Sequence, residues 1–140
     1  MGYTHYFQLH TVPTESAWTS FSNGAKQLAQ ASGVKLTTEF NNESVVVNGV
    51  AEGEHETLFV SRTNTRWEFC KTAKKPYDEV VTSILILAKY MFPDMYLNSD
   101  GDWSEWRKGR ELFTEVFHLE PAKETIFDGV QAVFPERTHA

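Results

Sequence analysis

From Tyr3 to Leu9 the chain alternates, with Tyr3, His5, Phe7 and Leu9 on one side and Thr4, Tyr6 and Gln8 on the other, the period-two pattern of a strand. The period then lengthens. After Pro13 and Thr14, the apolar residues Trp18, Phe21, Ala25 and Leu28 recur every third or fourth position, which predicts an amphipathic helix stopped by Gly33 and interrupted by Asn23-Gly24. Segments 34–40 and 44–50, rich in Val and Thr and separated by Asn41-Asn42-Glu43, predict a β-hairpin. Segments 57–62 and 67–72, joined by a polar turn, predict two further strands, with a meander as the simplest path. Pro76 suits the first turn of a helix. Tyr77, Val80, Val81, Ile84, Leu85, Leu87, Ala88 and Met91 then make that helix apolar almost all round, so it is the one expected to be buried. Residues 96–98 predict a short strand or extended link. Trp103, Trp106, Phe113, Val116 and Phe117 form a stripe opposite Glu105, Arg107, Lys108 and Glu111, which predicts a surface helix docked on one side. Phe127, Val130, Val133 and Phe134 suggest a last short helix or strand. The order β-α-β-β-β-β-α-(β)-α, without strict βα alternation, predicts an α+β fold: a mainly antiparallel sheet of about five strands with two or three helices packed on it. No repeat or linker divides the chain, so residues 1–140 are expected to form a single domain.

Composition narrows the function classes. Thirteen Lys and Arg against nineteen Asp and Glu give a net charge of −6, which argues against broad binding to nucleic acid or to anionic membranes. The single cysteine, Cys70, excludes an intramolecular disulfide framework and an all-cysteine zinc site. No apolar run approaches the ~18 residues of a membrane span, and the first residues lack the pattern of a secretory signal, so a cytoplasmic location is expected. Aromatic residues make up 14% of the chain, and most are needed for the core.

Chemistry is best placed where a strand leads into the buried helix, at Cys70-Lys71-Thr72-Ala73-Lys74-Lys75-Pro76-Tyr77-Asp78. Unpaired N–H groups at a helix start, with Lys71, Lys74, Lys75 and the Thr72 hydroxyl, are donors for a phosphate or carboxylate, although the glycines of a phosphate-binding loop are absent. Solvation of a surface loop by the same lysines, with Asp78 favouring the helix dipole, explains the pattern more simply. His5, between Tyr3 and Phe7, is either a core histidine or an acid–base group. Tyr6 projects to the opposite face. His55 and Glu56, with Glu52, Glu54, His5 or Asp78, are residue types that hold divalent metals, but the spacing is that of a solvated acidic loop, and no metal or cofactor is expected. Cys70 with a histidine base would be a nucleophile, and on a strand it is more simply a packing residue. Ser99-Asp100-Gly101-Asp102 resembles part of a calcium loop, but the later ligands of such a loop are absent, and a turn with an acidic helix start explains it better. Trp103 and Trp106 have core spacing.

The opening Met1-Gly2-Tyr3-Thr4-His5-Tyr6, followed by Phe69-Cys70-Lys71-Thr72-Ala73, Lys75-Pro76-Tyr77-Asp78 and Ser99-Asp100-Gly101, resembles a family of small bacterial and tailed-phage proteins over most of the chain. In that family a Trp commonly follows the sixth residue, where this chain has Phe7. The resemblance implies an intracellular accessory domain, phage-encoded in some members, and implies no reaction. Its shared segments are polar and rich in tyrosine. They lead to the expectation that Thr4, His5, Tyr6, Glu56, Lys71, Thr72, Lys75, Tyr77 and Asp78 border one pocket for a small anionic, nucleotide-like ligand, with Lys71 and Lys75 as anion contacts and Tyr6 or Tyr77 as stacking groups. Two alternatives stand beside it: a metal- or histidine-dependent hydrolase or transferase, and an acidic inhibitor or adaptor of a host protein.

Overall fold

The computed structural model describes residues 3–127. Its six strands are β1 (Thr4–Gln8), β2 (Leu36–Phe40), β3 (Ser44–Gly49), β4 (Leu58–Ser61), β5 (Glu68–Lys71) and β6 (Tyr96–Ser99). Its helices are α1 (Glu15–Ser32), α2 (Asp78–Met91), α3 (Arg107–Phe117) and the single turn α4 (Lys123–Ile126). The α+β class and nearly every expected element are present. The tail pattern at Val130, Val133 and Phe134 lies outside the described residues.

The expected single sheet of about five strands is replaced by two antiparallel sheets of three, ordered β2-β3-β4 and β5-β1-β6. At the Lys71 end of the outer edge of β5, Glu56 and not β4 takes the backbone groups: its N–H donates to the Lys71 carbonyl at 3.2 Å, and its Oε1 accepts the Lys71 N–H at 2.8 Å. A meander runs only through β4, and β5 pairs with the first strand instead.

Helix α1 begins where Thr14 Oγ1 accepts the Ala17 N–H at 3.1 Å and ends at Gly33, whose φ of 72° is the left-handed cap that favours glycine. The interrupting Gly24 has a packing cause: a Cβ there would lie 2.7 Å from Leu87 Cδ2, so α1 crosses α2 closely at that point. Helix α2 lies between α1 and α3 and is buried from Val80 to Lys89, as its all-round apolar pattern requires. Val45, Val47, Leu58 and Val60 of the first sheet, Phe7, Cys70 and Leu97 of the second, and Trp18, Phe21 and Leu28 of α1 share its core. Among the described residues no helix is long and apolar enough to cross a membrane.

Candidate functional site

Strand register assembles the site. In β5-β1-β6 the residue His5 pairs with Cys70 on one side and Ser99 on the other, so these three occupy one rung. Tyr6, one residue on, pairs with Phe69 and Asn98. Successive residues face opposite sides of a sheet, so His5 faces the helices and Tyr6 faces away. His5 is fully buried. A slip of one residue would exchange the two faces.

A chain of hydrogen bonds runs through the histidine. Ser99 Oγ accepts the Trp106 indole N–H at 3.1 Å and the Gly101 backbone N–H at 2.9 Å, which uses both of its lone pairs. Its own hydrogen therefore points to His5 Nδ1 at 2.7 Å, and this assigns the ring proton to Nε2. Nε2–H donates to Asp78 Oδ1 at 2.7 Å, and the same oxygen accepts the Thr72 hydroxyl at 2.6 Å. Tyr3 and Trp106 pack edge-on against the imidazole, with ring centroids 5.2 and 5.1 Å away. Serine, histidine and aspartate thus stand in the order of a nucleophilic triad, but the open end is reversed. Ser99 is saturated by two donors, whereas the Asp78 side chain is 16% exposed and its Oδ2 has no hydrogen-bond partner among the described residues. Chemistry here would reach solvent through the carboxylate.

Asp78 opens into a cleft of about 250 Å³ between the entry to α2 and the start of α3. Lys74, Lys75, Arg107 and Lys108 line it together with Asp78, Glu79, Glu105 and Tyr3. The loop before α2 is shaped by Tyr3, whose carbonyl accepts the N–H groups of Thr72 at 3.0 Å and Ala73 at 3.4 Å. Ala73 and Lys74 both adopt left-handed φ, 53° and 58°, a conformation that costs a non-glycine residue about 1–2 kcal/mol. The turn brings Lys74 Nζ to 4.8 Å from the Tyr3 ring centre and 2.9 Å from Glu105 Oε2, closing one side of the cleft. The hydrogen bond from Lys74 holds the Glu105 carboxyl below its ordinary range, and burial raises that of Glu79.

Of the nine expected site residues, His5, Thr72 and Asp78 meet directly, and Lys75 and Asp78 line the cleft. The others do not border it. Thr4 is buried, and its N–H is held by Asp100 Oδ2 at 3.0 Å. Tyr6 lies on the far sheet face, with its hydroxyl donating to Asp100 Oδ1 at 3.0 Å. Glu56 closes the β5 edge. Lys71 is exposed on β5 and lies outside the cleft lining. Tyr77 is fully buried and donates its hydroxyl to the Glu56 carbonyl, so neither proposed stacking tyrosine is available to the cleft. Lys75 Nζ donates to the Glu52 carbonyl at 3.0 Å.

Cys70 is fully buried, and burial followed by the nearby Glu56 charge pushes its thiol up to about 12, the opposite of an activated nucleophile. Among the described residues no three His, Cys, Asp or Glu side chains are grouped to hold a metal ion. Sequence reasoning missed Ser99, which belongs to a segment resembling a calcium loop, and Tyr3, which reads as an ordinary strand position. It also took Arg107 and Lys108 for a solvated face. The available signal was the alternation that put Tyr3 and His5 on one side, but nothing local linked it to Ser99. No protein-family model matches the chain, and no curated protein or solved structure matches it.

Proposed function

We propose that this protein is a ligand-binding domain whose cleft at the entry to α2 takes a small anionic molecule. The supporting observation is the convergence of cationic side chains from two separate elements, Lys74 and Lys75 before α2 and Arg107 and Lys108 at the start of α3, over a floor held by the Ser99–His5–Asp78 chain. Size narrows the ligand. About 250 Å³ is below the usual ~300–1,000 Å³ of a drug-sized pocket, and the one aromatic ring in the lining is 8% exposed and covered by Lys74, so a stacked nucleobase fits poorly. A compact phosphate- or carboxylate-bearing metabolite fits better. An accessory role in the bacterial and phage family that the sequence resembles would be to capture such a molecule.

Thermal-shift titration with inorganic phosphate, pyrophosphate and small carboxylates tests the reading, because a ligand at about 100 times its Kd stabilises by roughly 2.7 kcal/mol. Binding that disappears in Lys75→Ala/Lys108→Ala is the expected result. Absence of any shift across these anions overturns it.

One observation favours a second reading, a hydrolase or transferase: the 2.7 Å contact between His5 and Asp78. In that case Asp78 takes the proton and the buried His5 only positions it. Turnover of a p-nitrophenyl ester or phosphate that Asp78→Asn abolishes would support it, and no turnover would refute it.

A further inference from the structure

The cleft is more specific than its cations suggest, because its floor is a carboxylate. Asp78 Oδ1 already accepts two short hydrogen bonds, from Thr72 at 2.6 Å and His5 at 2.7 Å. Oδ2 accepts none among the described residues, although the side chain is only 16% exposed. An ionised carboxylate has about four acceptor positions, and the open oxygen of a partly exposed carboxylate that lines a cleft is free to accept a donor from whatever occupies it. Three of the four cations that line the cleft are already engaged: Lys74 by Glu105, Lys75 by the Glu52 carbonyl and Arg107 by Glu111. The lining carries four cations against three carboxylates, so it is close to neutral. A plain anion seated there would sit against the Asp78 charge and lose part of what the lysines provide.

We infer that the ligand is a zwitterion, with a primary amine donating to Asp78 Oδ2 and an anionic group directed to the Lys75 and Lys108 side of the cleft. This rests on the ligand-binding reading and deepens it. An ammonium group supplies the missing charge-assisted hydrogen bond and removes the repulsion in one step. His5 and Thr72 act as positioning residues, because they fix which carboxylate oxygen remains open. The ligand class is therefore that of small amino acids and aminophosphonates.

Matched pairs test this on the full chain by calorimetry: 2-aminoethylphosphonate against ethylphosphonate, and β-alanine against propionate. The amine-bearing member of at least one pair is expected to bind about tenfold tighter, a ratio consistent with one charge-assisted contact. In Asp78→Asn, which keeps an acceptor for His5 and Thr72, that ratio falls towards one while the amine-free anion binds as well as before or better. Equal binding within both pairs on the unaltered protein overturns the inference and leaves the ligand-binding reading standing. A preference that survives in Asp78→Asn also overturns it. If none of the four compounds and no inorganic phosphate binds, both fail. The comparison on the unaltered protein needs no variant, so a poorly folding Asp78→Asn does not rescue the idea.

Discussion

Replacing Asp78 by Ala tests the hydrogen-bond chain most directly. The substitution removes the acceptor of two buried donors, His5 Nε2–H and the Thr72 hydroxyl, without touching either residue. A buried donor left without a partner costs about 1–3 kcal/mol, so two cost about 2–6 kcal/mol, with water entering through the cleft favouring the lower half. Equilibrium urea unfolding reads the loss. With a slope of about 1–3 kcal/mol per molar, the midpoint falls by roughly 1–2 M while the slope stays constant. Asp78→Asn is the control, because its carbonyl oxygen accepts the same two hydrogen bonds, and it is expected to stay within about 1 kcal/mol of the parent protein. Thr72→Val supplies the coupling: it costs about 1 kcal/mol in the parent background and less in Asp78→Ala, where the hydroxyl has already lost its acceptor and only holds the Lys74 N–H. The hydrogen-bond chain is not as described if Asp78→Ala loses less than about 0.5 kcal/mol, or if Asn and Ala cost the same.

Three further outcomes follow from the surroundings of the site. Tyr3 Oη is buried and has no partner among the described residues, so Tyr3→Phe is expected to leave stability unchanged or raise it by up to about 1 kcal/mol; a loss above that in thermal unfolding would show an unseen partner. Ala73→Gly relieves a left-handed φ of 53° and is expected to stabilise by up to about 1 kcal/mol in the same assay, whereas a clear loss would refute the strain. Burial pushes the Cys70 thiol up to about 12 and also raises the Tyr3 and Tyr77 hydroxyls. These groups stay neutral in the folded chain while the unfolded chain ionises from about pH 9, so stability is full below that pH and is lost as pH climbs from 9 towards 12. The urea midpoint at pH 10.5 should fall below that at pH 7.5, and Cys70 should resist alkylation until the chain unfolds; a flat profile or a reactive native thiol contradicts the burial.

The elements themselves were legible in the amino-acid order because their signals are short-range. Alternation at Tyr3–Leu9 placed His5 on the inner face and Tyr6 on the outer one, Gly33 marked the end of α1, and the all-round apolar segment after Pro76 identified the buried helix, all from neighbours within a few positions. Partner choice was decided only in three dimensions. That β5 pairs with β1 and not β4 depends on a register that sets Thr4 opposite Lys71, and that Ser99 meets His5 depends on a register between residues ninety-four positions apart. Charges behaved in the same way. Arg107 and Lys108 occupy the polar face of an amphipathic helix, and only the packing of α3 against the entry to α2 turns that face towards Lys74, Lys75 and Asp78. Periodicity reports which side of an element avoids water. Which other element covers that side is set by long-range packing, for which a single sequence carries no local signal.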